Sequence, residues 1–340
     1  MNIFVVFTSY QANAALDIID QYQLESNSVV FISTIPLHAR VPGEYLYIPR
    51  ISGWKSVLKE IFSRSRRKSI DRLKNRAIGR VDLYVPHYLN MLSFTLASIM
   101  RGKGSIFLIP DGVGNYYYKK FDFLDFYMQL RVAVVANLIG LKFSLFFKNL
   151  FNPFEEVTGI FSYAPEVTSA RCGEVRPLTY ATGISGGLNP DSILVIGTDL
   201  SLRSLPRATA STERLLNCRK FSCIRYRPHP AMDLSKDFAE FSSRFSEFEI
   251  ILDSREFDPI QTVIAHDIGT LLSLEFSTVL CEVSQYFSSD VTCYLCWDKR
   301  MDKYWTDLMP VFRYFGIEAL GQPKQKNIEL PTSRSLKNRD

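Results

Sequence analysis

The seven residues IRYRPHP, from Ile224 to Pro230, place a histidine between two prolines. Proline fixes its own φ angle and pushes the residue before it into an extended conformation, so the backbone of His229 has little freedom. An imidazole held in this way can hydrogen-bond a phosphate or donate a proton to it, and Arg225 and Arg227 add affinity for anions. A purely structural histidine is the alternative interpretation.

A second candidate is Asp111, which follows the apolar run SIFLIP and precedes GVGN. We expect its carboxylate at the end of a strand, on a turn where Gly112 and Gly114 let a substrate approach the backbone. A carboxylate in that position can act as a general base toward a hydroxyl group. Because Pro-Asp-Gly is also a common turn sequence, a turn without chemistry is the alternative.

The segment SLEFSTVLCE, from Ser273 to Glu282, carries three hydroxyl side chains and is predicted to join a strand to a helix. Free N–H groups at the start of a helix, together with Ser or Thr side chains, can bind an anion. The alternative is that Ser277 or Thr278 caps the helix and does nothing more.

Several other kinds of site are absent from the sequence. The glycines after Asp111 do not form a dinucleotide-binding fingerprint, and neither a P-loop nor an Asp-x-Asp pair occurs. Six cysteines in 340 residues are too sparse for a disulfide framework, so we interpret them as reduced thiols. The CYLC pair lacks a second pair and a nearby histidine, which favours buried strand cysteines over a zinc or redox site.

The elements that must position these residues alternate between strands and helices. The predicted strands of the first half are NIFVVFTS, SVVFIST, VDLYVPH and GSIFLIPDG, with helices in ANAALDIIDQY and YLNMLSFTLASIM. The second half has strands in DSILVIGTD, KFSCIRYRPHP, FEIILDS and DVTCYLCW, with a helical region in IQTVIAHDIGTLLS. Continuous apolar strands of this kind indicate parallel sheets covered on both faces, which is an α/β fold.

The length of 340 residues exceeds what one hydrophobic core usually serves. Periodicity fades before GISGGLNP, where eight residues contain three glycines and a proline. We therefore predict one α/β domain over residues 1–185, a second over 190–320, and a loose polar tail over 321–340. Ligands of such sheets bind beyond the carboxyl ends of strands, so the residues there, including His87, are the ones to inspect.

The chain has a net charge of +5, and its basic residues are most crowded between Lys55 and Arg80. This segment has ten Lys or Arg and only two acidic residues, Glu60 and Asp71. This segment predicts peripheral contact with an anionic membrane, and a solvated helix is the alternative. Few apolar residues and no known motif accompany the basic residues, which argues against nucleic acid as a partner. The apolar segment from Val132 to Phe151 is interrupted by polar residues, which favours a buried or amphipathic helix, and a helix lying on a membrane is the alternative.

Taken together, these segments resemble bacterial sialyltransferases, especially the lipooligosaccharide sialyltransferase family (glycosyltransferase family 52-like), which is related to polysialyltransferases. The resemblance rests on an acid before glycine, a His-Pro pair and a downstream Ser-Thr pair. It also rests on FVVFTSYQANAALDII, where Thr8 and Gln11 match a Thr-x-x-Gln signature. One departure is Pro110, which stands where the family usually has a first acid.

The resemblance implies a GT-B-like α/β fold of two Rossmann-type parallel-sheet domains facing a central cleft. It implies an inverting, metal-independent enzyme without a cofactor that moves sialic acid from CMP-sialic acid to a galactose-terminated glycan of lipooligosaccharide, O-antigen or capsule. Asp111 would be the base, and His229 would meet the leaving phosphate. The implied donor-binding residues are Gly197, Thr198, Arg227, Pro230, Ser273, Glu275, Ser277, Thr278 and Glu282. The implied acceptor-side residues are Thr8, Gln11, Gly112 and Asn115.

Within these donor residues, Ser277 and Thr278 would hold the phosphate, and Glu275 or Glu282 would accept hydrogen bonds from the ribose. The expected location is the cytoplasm, at the inner face of the membrane, with a glycan or glycolipid as the second partner. Two alternatives stay open. The donor could be another CMP-sugar or CDP-glycerol, or the chain could be a non-catalytic subunit of a capsule-assembly complex.

Overall fold

The structure, a computed structural model of the chain, describes residues 1–34, 41–48, 79–86, 91–100, 102–111, 157–168, 173–179, 187–229, 232–253, 258–287 and 290–321. The chain divides into two compact units, Met1–Ile184 and Ser185–Asp340. Each unit has its own sheet and its own core, and the two are described separately.

The first unit is built on a sheet in which every neighbouring pair of strands is parallel. Its strands are β1 (Asn2–Val6), β2 (Val29–Ser33), β3 (Glu44–Tyr47), β4 (Asp82–Val85), β5 (Ile106–Leu108), β6 (Val157–Ser162) and β7 (Glu174–Pro177). They lie in the order β3-β2-β1-β4-β5-β6-β7. The helices described in this unit are α1 (Ser9–Gln21) and α2 (Met91–Met100).

Both faces of this sheet are buried, which explains the unbroken apolar strands. Alternate side chains of β1 point to opposite faces, so Ile3 packs in one core cluster with Leu96 of α2. Phe4 packs in the other cluster with Ile18 of α1, and its ring stacks on Tyr84 at a centroid distance of 4.2 Å. A strand covered on both sides has no polar face, so its sequence shows no alternation.

The second unit repeats this plan. Its strands are β8 (Asn189–Ile196), β9 (Cys223–Arg227), β10 (Ile250–Leu252), β11 (Ile268–Ser273), β12 (Thr292–Cys296) and β13 (Glu318–Leu320), in the order β10-β9-β8-β11-β12-β13. All neighbouring pairs are again parallel. The described helices are α3 (Pro206–Cys218), α4 (Leu234–Arg244), α5 (Pro259–Ala265), α6 (Thr278–Phe287) and α7 (Trp305–Tyr314).

The order of strands confirms the predicted fold class of two Rossmann-type parallel-sheet domains. Counted from its own first strand, each sheet begins with the order 3-2-1-4-5-6, which is the order of the doubly wound dinucleotide-binding fold. In both units the first strand is therefore central, and the chain moves outward on one side before it crosses to the other.

One predicted element is wrong. The run IQTVIAHDIGTLLS was expected to form a helical region, but α5 ends at Ala265 and Ile268–Ser273 is strand β11. Asp267 breaks the helix, since its φ of +49° lies in the left-handed region. Every residue of β11 is buried, so the sequence has the continuous apolar character that a buried helix also shows.

The predicted buried strand cysteines are found in β12, where Cys293 and Cys296 are both buried. None of the five cysteines in the described part of the chain forms a disulfide. No helix within the described ranges is long and apolar enough to cross a membrane. The predictions for residues 55–78, for Val132 to Phe151 and for the tail from residue 322 onward concern residues outside the described ranges.

Candidate functional site

In the first unit, the carboxyl edge of the sheet brings together residues that are far apart in sequence. Thr8 follows β1 and caps α1, because its Oγ1 accepts a hydrogen bond from the N–H of Gln11 at 3.2 Å. The side-chain amide nitrogen of Gln11 donates to Oδ1 of Asp111, which lies beyond β5. The predicted Thr-x-x-Gln signature and the predicted acid thus meet at one edge.

The orientation of the Gln11 amide is fixed by a second hydrogen bond. The backbone N–H of Phe7 donates to Gln11 Oε1 at 2.7 Å, so the oxygen of the amide faces the backbone. The NH₂ group must then face Asp111, which means that Gln11 is a donor to this carboxylate. Gln11 is buried and Asp111 is half-buried, so a fixed donor holds the carboxylate in one direction at the strand end.

In the second unit, β8 and β11 are neighbours, and the residues that follow them are linked. Thr198 lies two residues beyond the end of β8, and its Oγ1 donates to Oε2 of Glu275 at 2.6 Å. Ser273, the last residue of β11, donates from Oγ to the backbone oxygen of Glu275 at 2.6 Å. Two hydroxyl groups therefore fix the loop that carries this carboxylate.

Gly197 is required by the close approach of β9. A Cβ at this position would lie 2.5 Å from the hydroxyl oxygen of Tyr226 and 3.1 Å from the backbone oxygen of Arg227. The Tyr226 hydroxyl itself is buried and donates to Oδ2 of Asp237 at 2.9 Å. Any side chain at Gly197 would therefore push against a buried hydrogen-bonded pair.

The start of α6 has the capping arrangement that was the simpler alternative for this segment. Ser277 Oγ accepts a hydrogen bond from the N–H of Val279 at 3.2 Å, and α6 begins at Thr278. Both side chains are half-buried. Hydroxyl groups and N–H groups at the start of a helix can receive a phosphate, so the predicted anion-binding role stays a prediction for Ser277 and Thr278.

Glu282 lies one turn further along α6 and is 5% exposed. Burial raises the pKa of its carboxyl group to about 8, and the nearby Asp258 raises the pKa further, while Arg227 opposes both. At pH 7 this side chain is therefore protonated and can donate as well as accept a hydrogen bond. Its predicted role as an acceptor from ribose stays a prediction.

Arg227 was predicted to bind the donor, and the structure places its guanidinium group against protein partners. Its Nη1 lies 3.4 Å from Oδ2 of Asp253 and donates to Oγ1 of Thr262 at 3.2 Å. Only Pro228 separates Arg227 from His229. His229 is half-buried, and its backbone oxygen accepts a hydrogen bond from the N–H of Met232 at 2.9 Å.

The predicted residues thus fall into two sets, one at the carboxyl edge of each sheet. Thr8, Gln11 and Asp111 form the set in the first unit. The set in the second unit contains Gly197, Thr198, Arg227, His229, Ser273, Glu275, Ser277, Thr278 and Glu282. The remaining predicted positions, His87, Gly112, Asn115 and Pro230, lie outside the described residues.

Residues that the sequence analysis missed include Asp253 and Thr262, which hold Arg227, and Asp237, which holds Tyr226. A signal was present for Asp253, because it stands near the end of the predicted strand FEIILDS, directly after its apolar residues, and so had to lie at the carboxyl edge. Thr262 gave no signal, since a threonine within an apolar helix is usual. Within the described ranges, no group of three or more His, Cys, Asp or Glu side chains could hold a metal ion.

Comparisons with known proteins give similarities of structure alone. No protein-family model matches the sequence, and no curated protein matches it. Among solved structures, S. aureus MnaA in a complex with UDP has a TM-score of 0.49 and 12% identity, with 90% of this chain and 82% of that chain covered. The UDP-N-acetylglucosamine 2-epimerase of Rickettsia bellii has a TM-score of 0.48 and 12% identity, with coverage of 84% and 76%.

A UDP-glucosyltransferase from Polygonum tinctorium is also similar, with a TM-score of 0.44 and 9% identity, and coverage of 94% and 84%. TM-scores at this level indicate a similar path of the backbone and carry no conclusion about the substrate.

Proposed function

We propose that this chain is an inverting, metal-independent sialyltransferase that moves sialic acid from CMP-sialic acid to a galactose-terminated glycan of lipooligosaccharide, O-antigen or capsule. The observation that carries the proposal is the hydrogen bond from Gln11 to Asp111. It links the Thr-x-x-Gln signature to the acid before glycine, which are two of the features on which the resemblance rests. In this proposal residues 1–185 form the acceptor-side domain and residues 190–320 form the nucleotide-sugar domain.

Asp111 is the general base of the proposed reaction. Its carboxylate takes the proton from the acceptor hydroxyl, whose oxygen then forms a bond to the anomeric carbon of sialic acid. The bond from that carbon to the CMP phosphate oxygen breaks, and its electron pair leaves with CMP. Because attack and departure are on opposite faces, the configuration inverts. The Gln11 donor keeps the base in one orientation throughout.

Charge that develops on the departing phosphate is met by the second unit. His229 donates a hydrogen bond or a proton to the phosphate, and the start of α6 supplies hydroxyl and N–H donors at Ser277 and Thr278. Glu275, fixed by Thr198, accepts from the ribose hydroxyls of CMP. These roles are the ones that the resemblance implies, and the side chains at this edge have the chemistry that they need.

Metal independence follows from the leaving group. CMP carries a single phosphate, which an imidazole and a few hydroxyl and N–H donors can neutralise. We expect turnover to survive EDTA nearly intact. A complete loss of activity in EDTA that magnesium or manganese restores would contradict this part of the proposal.

The decisive experiment is a donor panel with the purified chain: CMP-sialic acid, CMP-Kdo and CDP-glycerol, each with a galactose-terminated acceptor. We expect transfer from CMP-sialic acid only, with an inverted anomeric centre in the product. Transfer from CDP-glycerol or CMP-Kdo alone would favour the alternative transferases. No binding and no hydrolysis of any donor would favour the non-catalytic capsule-assembly subunit.

Two variants assign the roles. Asp111→Asn keeps the shape of the side chain but cannot accept the proton, so turnover should fall by about 10² to 10⁴ while CMP binding by calorimetry stays close to normal. His229→Ala should weaken both CMP binding and turnover. Asp20→Asn, an exposed position on α1, is the matched control and should change neither. An Asp111→Asn variant with more than about a tenth of the normal rate would make Asp111 a turn residue.

The proposed location, in the cytoplasm at the inner face of the membrane, rests on the basic sequence from Lys55 to Arg80. Sedimentation with vesicles tests it. The chain should sediment with vesicles that contain anionic lipid and stay in solution with phosphatidylcholine alone, and equal behaviour with both would count against membrane contact.

A further inference from the structure

The guanidinium group of Arg227 is buried and bound within the second unit. Its side chain is 11% exposed, and that of Asp253 is 4% exposed. The 3.4 Å between Arg227 Nη1 and Asp253 Oδ2 is an ion-pair distance without the alignment of a hydrogen bond. The same Nη1 donates to Thr262 Oγ1 at 3.2 Å, so the guanidinium group is held from β10 and from α5 at once.

The backbone of the same region is tied to both neighbouring strands. The N–H of Gly197 donates to the backbone oxygen of Arg227 at 2.8 Å, which joins the ends of β8 and β9. The N–H of Asp253 donates to the backbone oxygen of Tyr226 at 2.9 Å, which joins the ends of β9 and β10. The end of β9 is thus tied through its backbone to both neighbouring strands, two residues before His229.

The start of α5 is fixed independently, which makes Thr262 a rigid partner. Asp258 and Gln261 form a reciprocal capping box, in which the N–H of Gln261 donates to Asp258 Oδ1 at 2.8 Å and the N–H of Asp258 donates to Gln261 Oε1 at 3.3 Å. Thr262 is the next residue along the helix and is fully buried. The hydroxyl that receives Arg227 therefore has little freedom to move.

Among the titratable groups near Arg227, Asp253 is the buried carboxylate that forms an ion pair with it. Burial raises the pKa of Glu282 to about 8, so this carboxyl group is neutral at pH 7. Burial and then Arg225 lower the pKa of His266, while Asp253 acts in the opposite direction. An arginine in such a setting depends on its carboxylate partner, because an uncompensated buried charge is costly.

We propose that Arg227 is a positioning residue: its buried pair with Asp253 fixes the chain at the end of β9 and thereby the place of His229, two residues further on. This inference rests on the proposed function, in which His229 meets the leaving phosphate. It replaces the expectation that Arg227 contacts the donor directly.

The test uses a double variant, since removal of one partner alone would leave a buried charge and could unfold the unit. Arg227→Met/Asp253→Leu removes both charges and keeps the volume, a change that buried ion pairs often tolerate. The matched control is Arg244→Met/Glu213→Gln, which removes an ion pair of 3.3 Å in the same unit whose side chains are 53% and 46% exposed.

Three measurements are made on each protein: kcat and KM for CMP-sialic acid, the ring signals of His229 in the NMR spectrum without ligand, and the thermal transition. We expect the double variant to fold, its His229 signals to move, kcat to fall about 100-fold and KM to rise, because a displaced His229 loses the same contact with the donor phosphate that His229→Ala removes. The control should keep the normal kcat and the normal His229 signals.

Two results would overturn the proposal. Unmoved His229 signals with a raised KM would make Arg227 a direct donor contact, and Arg227→Lys should then retain donor binding. Unmoved signals with normal kcat and a lower melting temperature would make the pair merely structural. If the normal protein turns over no CMP-sugar, the proposed function fails, and the His229 signals still decide whether Arg227 positions this histidine.

Discussion

Glu282→Gln should change the pH dependence of stability of the second unit. The carboxyl group has an ordinary pKa of 4.5, and burial in α6, assisted by Asp258, raises its pKa to about 8 in the folded protein. Between these values the folded chain keeps a proton that the unfolded chain has released. The contribution of the protonated Glu282 to stability is therefore fully present below pH 4.5 and is lost as the pH rises through about 8.

The size of the effect follows from proton linkage. Each pH unit in this window lowers the free energy of unfolding by about 1.4 kcal/mol. Over the whole interval, from 4.5 to about 8, the loss reaches about 5 kcal/mol. Glutamine has nearly the same shape and cannot ionise, so the variant lacks this loss.

The measurement is urea unfolding followed by tryptophan fluorescence, to which the buried Trp297 of the second unit contributes, between about pH 5 and about pH 9. The variant should become steadily more stable relative to the normal protein as the pH rises. Glu247→Gln, at an exposed position of the same unit, serves as the control and should follow the normal protein. Parallel curves for the normal protein and Glu282→Gln would refute a buried neutral carboxyl group at this position.

Three further outcomes are expected. Gln11→Leu should lower kcat about 10-fold or more with CMP binding unchanged, because leucine cannot donate to the base, and a normal rate would contradict this. Gly197→Ala should cost about 1–3 kcal/mol in chemical unfolding, since its Cβ meets the Tyr226 hydroxyl, and Tyr226→Phe should recover part of the loss; equal costs in both backgrounds would contradict the clash. A thiolate-selective reagent should spare Cys293 and Cys296, because burial raises the pKa of each thiol to about 12. Mass spectrometry maps the labelled cysteines, and labelling of either of these two in the folded protein would contradict the prediction.

The sequence predicted the fold class because central strands of both sheets are covered on two faces, which leaves continuous apolar runs that are easy to find. The same property caused the error at IGTLLS, since a fully buried strand and a buried helix share the same composition. Short edge strands such as β3 and β13 carry too few residues for a periodic signal. The weakest signals were thus at the edges of the sheets.

The candidate site was predictable in its residues and not in its contacts. Thr8, Gln11 and Asp111 could be selected because each follows a strand, but the hydrogen bond from Gln11 depends on the placement of β1 and β5 in one sheet. The pair of Arg227 and Asp253 was missed for the same reason. Its partners meet only because β9 and β10 are neighbours, and no local pattern records that pairing.

The central position of the first strand in each sheet has a consequence for folding during synthesis. β1 can pair with β2 as soon as Ser33 has been made, but its other edge stays open until β4 follows. In the second unit β8 likewise waits for β11, which ends at Ser273. Each nascent unit therefore presents an apolar strand with one unpaired edge until the fourth strand of its sheet has been made, and this is the stage at which a chaperone would bind it and at which a wrong strand could take the vacant place.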